Sequence, residues 1–189
     1  MTIQESLASY HWMNEPAVWH FQDDGFFLAP DAGSDFWQRT HYGFRNDNAH
    51  FYYTETERDF ELYTQVRLTP KHRFDQAGLC IRIDEDNWIK TSCEYETPEF
   101  SHLGVVVTNL GYSDWSTQRV AAGIQEIEYK IIRKGQNIEV YACYQGSAFE
   151  QIRIAYLHKA EAIVKAGIYA CSPTAGGGSA LFTKYSLTQ

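Results

Sequence analysis

Arg82, Lys90 and Glu94 are the side chains whose types and spacing most invite chemistry. If Leu79–Ile83 and Ile89–Tyr95 form a hairpin turning about Glu85 to Asn87, Arg82 lies opposite Lys90, Cys80 opposite Ser92 and Gly78 opposite Glu94. Strand alternation then puts all of them on the face away from Leu79, Ile81 and Ile83. Like charges directly opposed across a ladder are unfavourable. An offset is therefore expected, from Glu94 on the same strand, from Glu61 or Asp114 elsewhere, or from an anionic ligand. The plainer alternative is that both cations splay into water, since structural charge networks mimic functional ones.

Three tryptophans sit among charged or amide neighbours, in Asp35-Phe-Trp37-Gln-Arg39, Asp86-Asn-Trp88-Ile-Lys90 and Ser113-Asp-Trp115-Ser116. An indole face beside polar groups suits a sugar ring, whose C–H bonds stack on the aromatic while its hydroxyls hydrogen-bond. An indole plugging the end of a sandwich would look the same in sequence. Glu94-Tyr-Glu96-Thr-Pro-Glu99 resembles the carboxylate-rich strand of some glycoside hydrolases, and alternation puts Glu94 and Glu96 on one face. Pro98, however, breaks the strand before Glu99 can align, and no catalytic residue is assigned. The seven histidines show no metal-ligand spacing and Asp84–Asn87 lacks the calcium-loop pattern, so no metal is expected. A G-x-S-x-G elbow and a phosphate-binding glycine loop are both missing, so no cofactor is expected.

These residues must be positioned by strands. Helical periodicity is hard to find, whereas short alternating runs recur over 60–68, 79–83, 89–95, 105–109, 127–133, 138–144, 151–157, 163–171 and 180–187, separated by turn residues. Such a series predicts a sandwich or barrel, because a sheet with one apolar face must cover it with another layer. Phe60, Leu62, Val66, Leu79, Ile81, Ile83, Ile89, Val105, Ile131, Val140 and Ile168 are the predicted core. With no linker or repeat, residues 1–189 are read as a single domain.

Composition narrows the partners. With 24 acids against 16 bases and a formal charge of −8, the chain lacks the basic cluster that nucleic acid or an anionic membrane would need. The N-terminal residues show no secretory pattern and no apolar run has membrane-spanning length, so a cytoplasmic location is expected. The four cysteines show no C-x-x-C spacing; Cys80 and Cys93 fall on opposite faces of the proposed hairpin, so a disulfide between them is excluded. Thirteen Tyr, 11 Phe and 5 Trp suit strands and binding surfaces.

One ordered set of motifs carries a resemblance. Asn14-Glu15-Pro16, Asp35-Phe36-Trp37, Asp59-Phe60-Glu61, Asp75-Gln76-Ala77-Gly78-Leu79, Trp88-Ile89-Lys90, Glu94, Val105–Thr108, Ser113–Ser116, Ile132-Arg133 and Ser172-Pro173 together resemble the domain family that includes the regulation-of-enolase proteins. The resemblance implies an all-β, two-sheet antiparallel jelly-roll sandwich of the concanavalin A-like lectin/glucanase type, and brings no reaction, cofactor or catalytic residue with it. The expectation is a non-enzymatic binding or regulatory protein of carbohydrate metabolism. It would hold a saccharide or other small polar ligand, or a metabolic-enzyme partner, on a face built from Trp37, Asp75, Gln76, Arg82, Lys90, Glu94, Asp114 and Trp115. The alternative is a glycoside hydrolase-like enzyme pairing Glu94 with Glu96 or Asp114.

Overall fold

The computed structural model describes residues 2–189. The chain opens with a one-turn helix, α1 (Ile3–Leu7), which Thr2 and Glu5 close as a reciprocal capping box and which buries Leu7. Sixteen strands follow: β1 (His11–Met13), β2 (Val18–Gln22), β3 (Gly25–Ala29), β4 (Phe36–Gln38), β5 (Arg45–Asp47), β6 (His50–Thr56), β7 (Phe60–Thr69), β8 (Gln76–Asp84), β9 (Asn87–Tyr95), β10 (Phe100–Asn109), β11 (Tyr112–Ala121), β12 (Glu126–Lys134), β13 (Asn137–Tyr144), β14 (Glu150–Tyr156), β15 (Val164–Cys171) and β16 (Ser179–Thr188). They form a front sheet in the order β1-β6-β15-β8-β9-β10-β11 and a back sheet in the order β14-β13-β12-β7-β16-β3-β2, with β4 and β5 as a separate hairpin. Every ladder is antiparallel. This is the two-sheet sandwich that the alternating runs predict.

Alternation explains the interior. In β7 every second residue, Phe60, Leu62, Thr64, Val66 and Leu68, is buried, and Ile131, Val140, Leu79, Ile81, Ile89, Val105 and Ile168 meet them between the sheets. Of the predicted core only Ile83 is partly exposed, because it is the extra residue of a bulge in β8. β8 and β9 do not alternate in burial; they are covered on both faces. A second apolar layer of Phe36, Trp37, Ala49, Phe51, Cys80, Trp88, Val106, Tyr169 and Cys171 lies on the outer face of the front sheet, under the β4–β5 hairpin.

The hairpin register differs from the sequence expectation by two residues. Cys80 pairs with Lys90, Gly78 with Ser92, Gln76 with Glu94 and Arg82 with Trp88. The loop is a tight Glu85-Asp86 turn in which the Asp84 carboxylate accepts from Asp86 N–H (3.0 Å) and Asn87 Nδ2 (2.7 Å). Neither turn residue takes the positive φ of the turns that continue a regular ladder, and the ladder absorbs one further residue at the bulge. An even shift preserves faces, so Arg82 and Lys90 stay on the outer side although they are not opposed.

The charges on that outer face hold the roof in place. Arg82 donates both terminal nitrogens to Asp47, at 2.6 and 2.8 Å, and Lys90 Nζ lies 3.1 Å from Asp35 Oδ1. At the far end Arg39 donates to Gly111 O at 2.7 Å. The φ of +78° at Gly111 is left-handed, so the backbone there calls for glycine.

Candidate functional site

Between the roof and the outer face of β9 and β10 lies a cleft of about 680 Å³, within the usual size range of small-molecule sites. Its floor comes from β9, whose alternation aims Lys90 and Glu94 upward, followed by Glu96 just past the strand end. Trp37, Tyr42, Phe44, Phe74 and Trp115 supply aromatic walls, and Arg73, His102 and Thr174 stand among the lining polar groups. Trp37 and Trp115 meet edge to face, with centroids 6.4 Å apart, and Trp115 also abuts His102 at 5.6 Å. Gly104 makes this possible: a Cβ there would lie 2.8 Å from Trp115 Nε1.

Glu94 is held by a directed network. Tyr169 Oη (3.0 Å) and Ser92 Oγ (3.3 Å) donate to Gln76 Oε1, which fixes the amide so that Gln76 Nε2 donates to Glu94 Oε2 at 2.5 Å and to Phe74 O at 3.1 Å. Burial pushes the Glu94 carboxyl up to about 8; Lys90 and the Gln76 hydrogen bond pull it down, but the charges of Asp35 and Glu96 add to the rise. Lys90 shows the opposite balance. Burial pulls it down, yet Asp35, the Cys171 thiol and Glu94 outweigh that and raise it, so it stays an ammonium. Glu96, itself buried, accepts from Arg73 Nε at 2.7 Å and lies 3.1 Å from His102 Nδ1.

Of the eight residues singled out in sequence, Trp37, Lys90, Glu94 and Trp115 line this cleft, and Gln76 stands behind Glu94. The other three are elsewhere. Asp75 is buried and accepts from Lys71 N–H (2.8 Å), His72 N–H (3.0 Å) and the Ser172 hydroxyl, bracing two loops. Arg82 lies beneath the roof on Asp47. Asp114 is on β11, a strand outside the alternating runs read from sequence, and alternation turns it away from Ser113 and Trp115 and towards Arg153 of the back sheet, at 2.9 Å. Trp88 is fully buried against Phe36, as a plug.

Asp35 is the most consequential of the lining residues that sequence reasoning missed, which also include Tyr42, Phe44, Arg73, Phe74 and His102. It lines the cleft; its Oδ1 accepts from Phe36 N–H (2.8 Å) and from Lys90, with the Cys171 thiol at 3.7 Å. Its presence in the Asp35-Phe36-Trp37 motif was a signal, and the need for a counter-charge to Lys90 was another. Only the fold shows that the two meet across 55 positions of chain. Among the described residues no group of three or more His, Cys, Asp or Glu is placed to hold a metal ion, and no helix is long and apolar enough to cross a membrane.

A two-sheet sandwich with a roofed, aromatic-walled cleft on its outer sheet face places the protein in the concanavalin-like class. More narrowly, the chain belongs to the DUF1349 family, described as protein of unknown function, whose model matches residues 12–189. It is 30% identical over 183 residues to Regulation of enolase protein 1 of Saccharomyces cerevisiae, covering 96% of this chain and 90% of that protein. In structure it is similar to a functionally unknown Saccharomyces cerevisiae protein, with TM-score 0.89, 28% identity and 97% of each chain covered. The GH43 protein BlXynB of Bacillus licheniformis shares the fold over 95% of this chain but only 36% of its own, at TM-score 0.70 and 15% identity.

Proposed function

We propose that the protein is a regulatory binding protein of carbohydrate metabolism that holds a saccharide in the cleft over β9 and β10. The observation that carries this reading is the pairing of aromatic walls, Trp37, Tyr42 and Trp115 above all, with a polar floor of Asp35, Lys90, Glu94 and Glu96 in one roofed space. The link to metabolism rests on the relative's name, which makes a metabolic enzyme the natural partner. Four free, buried cysteines suit a reducing compartment such as the cytoplasm. The test is titration calorimetry against a panel of mono- and disaccharides. Trp115→Ala should weaken binding at least tenfold, about 1.4 kcal/mol, with the circular dichroism spectrum unchanged; equal affinity in the variant would remove the site from this cleft.

One observation favours a catalytic reading: Glu94, pushed up to about 8, is tuned as a general acid would be. The partners expected from sequence are poorly placed. Glu96 is engaged by Arg73 and His102, and Asp114 faces the back sheet, which leaves Asp35 as the remaining carboxylate in the cleft. Turnover of aryl glycosides that Glu94→Gln abolishes would establish this reading in place of the first.

A further inference from the structure

We infer that the cleft selects an uncharged saccharide, gripped through neighbouring hydroxyls by Asp35 Oδ2 and Glu94 Oε1, and turns away the phosphorylated form of the same sugar. This rests on the saccharide-binding reading and narrows its ligand class.

The cation on the floor of the cleft is already matched, and the one with free nitrogens stands among carboxyl groups. Lys90 is spent on Asp35, with only 3% of its surface exposed; Arg73 lies over the Phe74 ring and gives its Nε–H to Glu96, and its terminal nitrogens, free on a side chain 62% exposed, are outnumbered by the carboxyl groups of Asp35, Glu94 and Glu96 that line the same cleft. Arg82, the third cation of this face, is held by both oxygens of Asp47. Phosphate sites offer free Arg or Lys groups, or unpaired backbone N–H groups at a helix start or glycine loop. Here the floor is a strand between two ladder partners, β8 and β10, and α1 packs far from it against β3 and β16.

What the cleft does offer is two carboxyl oxygens that make no hydrogen bond within the protein among the described residues. Asp35 uses Oδ1 for Phe36 N–H and Lys90, leaving Oδ2; Glu94 uses Oε2 for Gln76, leaving Oε1. Both residues line the same space, and both are fixed from behind, so the oxygens are held rather than swinging. The charged and titratable groups facing Glu94 are Asp35 from the roof, Lys90 and Glu96 on its own segment, Cys171 on β15 and Arg73 across the cleft, with Tyr169 of β15 behind Gln76 and His102 of β10 beyond Glu96. Their sum, with burial, keeps the proton on Glu94 near neutral pH. A protonated Glu94 donates while Asp35 accepts, which matches two neighbouring sugar hydroxyls. A phosphate dianion would instead meet carboxyl groups.

The experiment is calorimetry and saturation-transfer NMR with the full chain at pH 7. Glucose, xylose, cellobiose and xylobiose are compared with glucose 1-phosphate and glucose 6-phosphate. The expected result is binding of at least one neutral sugar, with its phosphate at least tenfold weaker. Affinity should fall as pH rises from 7 to 9, and Glu94→Gln, which cannot ionise, should flatten that profile. Phosphate forms that bind as well as neutral ones, or a flat wild-type profile, overturn this inference and leave the saccharide reading standing. No binding of any sugar in either form removes the saccharide reading and this inference with it. Glu94→Ala should cost at least tenfold in affinity; an unchanged affinity in a folded Glu94→Ala protein also counts against the grip.

Discussion

Glu94 has a consequence for stability that needs no ligand. A carboxyl whose folded pKa is about 8, against an ordinary value of 4.5, binds its proton more tightly in the folded chain than in the unfolded one. Its contribution is therefore fully present below pH 4.5 and is lost as pH rises through about 8. Glu94→Gln keeps the hydrogen-bonding shape without the charge. Its melting temperature should match that of the wild type at pH 4 and exceed it by a few degrees at pH 8.5, where about 1 kcal/mol corresponds to about 2–4 °C for a chain of this size. Equal melting temperatures at pH 8.5 would mean that Glu94 ionises freely and that burial does not hold it neutral.

At the scale of elements the roof hairpin decides whether the cleft exists. β4 and β5 form a two-stranded unit with little backbone pairing to either sheet, so side chains must fasten it. Arg82→Met removes the bidentate pair with Asp47. It should cost about 2 kcal/mol, less than a fully buried pair because Asp47 is partly exposed and rehydrates. Saccharide affinity should fall too, although Arg82 does not line the cleft. Arg67→Met, which breaks the exposed Arg67–Glu126 pair of the back sheet, should change urea stability by less than about 0.5 kcal/mol and leave binding alone. Equal effects of the two would deny Arg82 its role in holding the roof. What was legible in sequence follows the same division. Strands from Phe60 onward, β11 excepted, alternate in sequence and could be read; β1 to β5 are only three to five residues long, so periodicity passed over them, and over β6 with its run of aromatics. The two-residue turn and the bulge at Ile83 have no sequence signature and each moved the register by one, yet faces survived; Lys90 and Glu94 share β9, so alternation alone brought them together. Asp114 was misplaced because the polar Ser-Asp-Trp-Ser run shows no apolar alternation, whereas in β11 alternation fixes its direction. Asp35–Lys90 and Arg82–Asp47 span 55 and 35 positions, and one sequence does not reveal pairings at such distance.

For the whole molecule the open question of cooperativity is whether roof and sandwich unfold together, and the four thiols report on it. Cys93 lies between the sheets, Cys80 and Cys171 lie under the roof, and Cys143 lies on the outer face of the back sheet beside a groove lined by Glu126, Glu128 and Tyr144. Burial pushes Cys80 and Cys93 up to about 12 and Cys171 well above its ordinary value, so none of them presents a thiolate near neutral pH. Cys143 is raised as well, by burial and then by Glu128, but it lines an open groove on the outer face and no second layer covers it, which makes it the thiol a reagent should reach first. Labelling the native protein with Ellman's reagent should therefore modify one thiol slowly. The other three should react together at a rate that rises with urea along the global unfolding curve, because exposing them means lifting the roof or parting the sheets. If Cys80 and Cys171 react well ahead of Cys93 in the wild type, the roof opens as a unit of its own and the cleft is assembled only part of the time. Arg82→Met should produce that ordering deliberately. Labelling in the order Cys143, then Cys80 with Cys171, then Cys93 in the variant, against Cys143 and then the other three in the wild type, would show that one ion pair makes roof and sandwich a single cooperative structure.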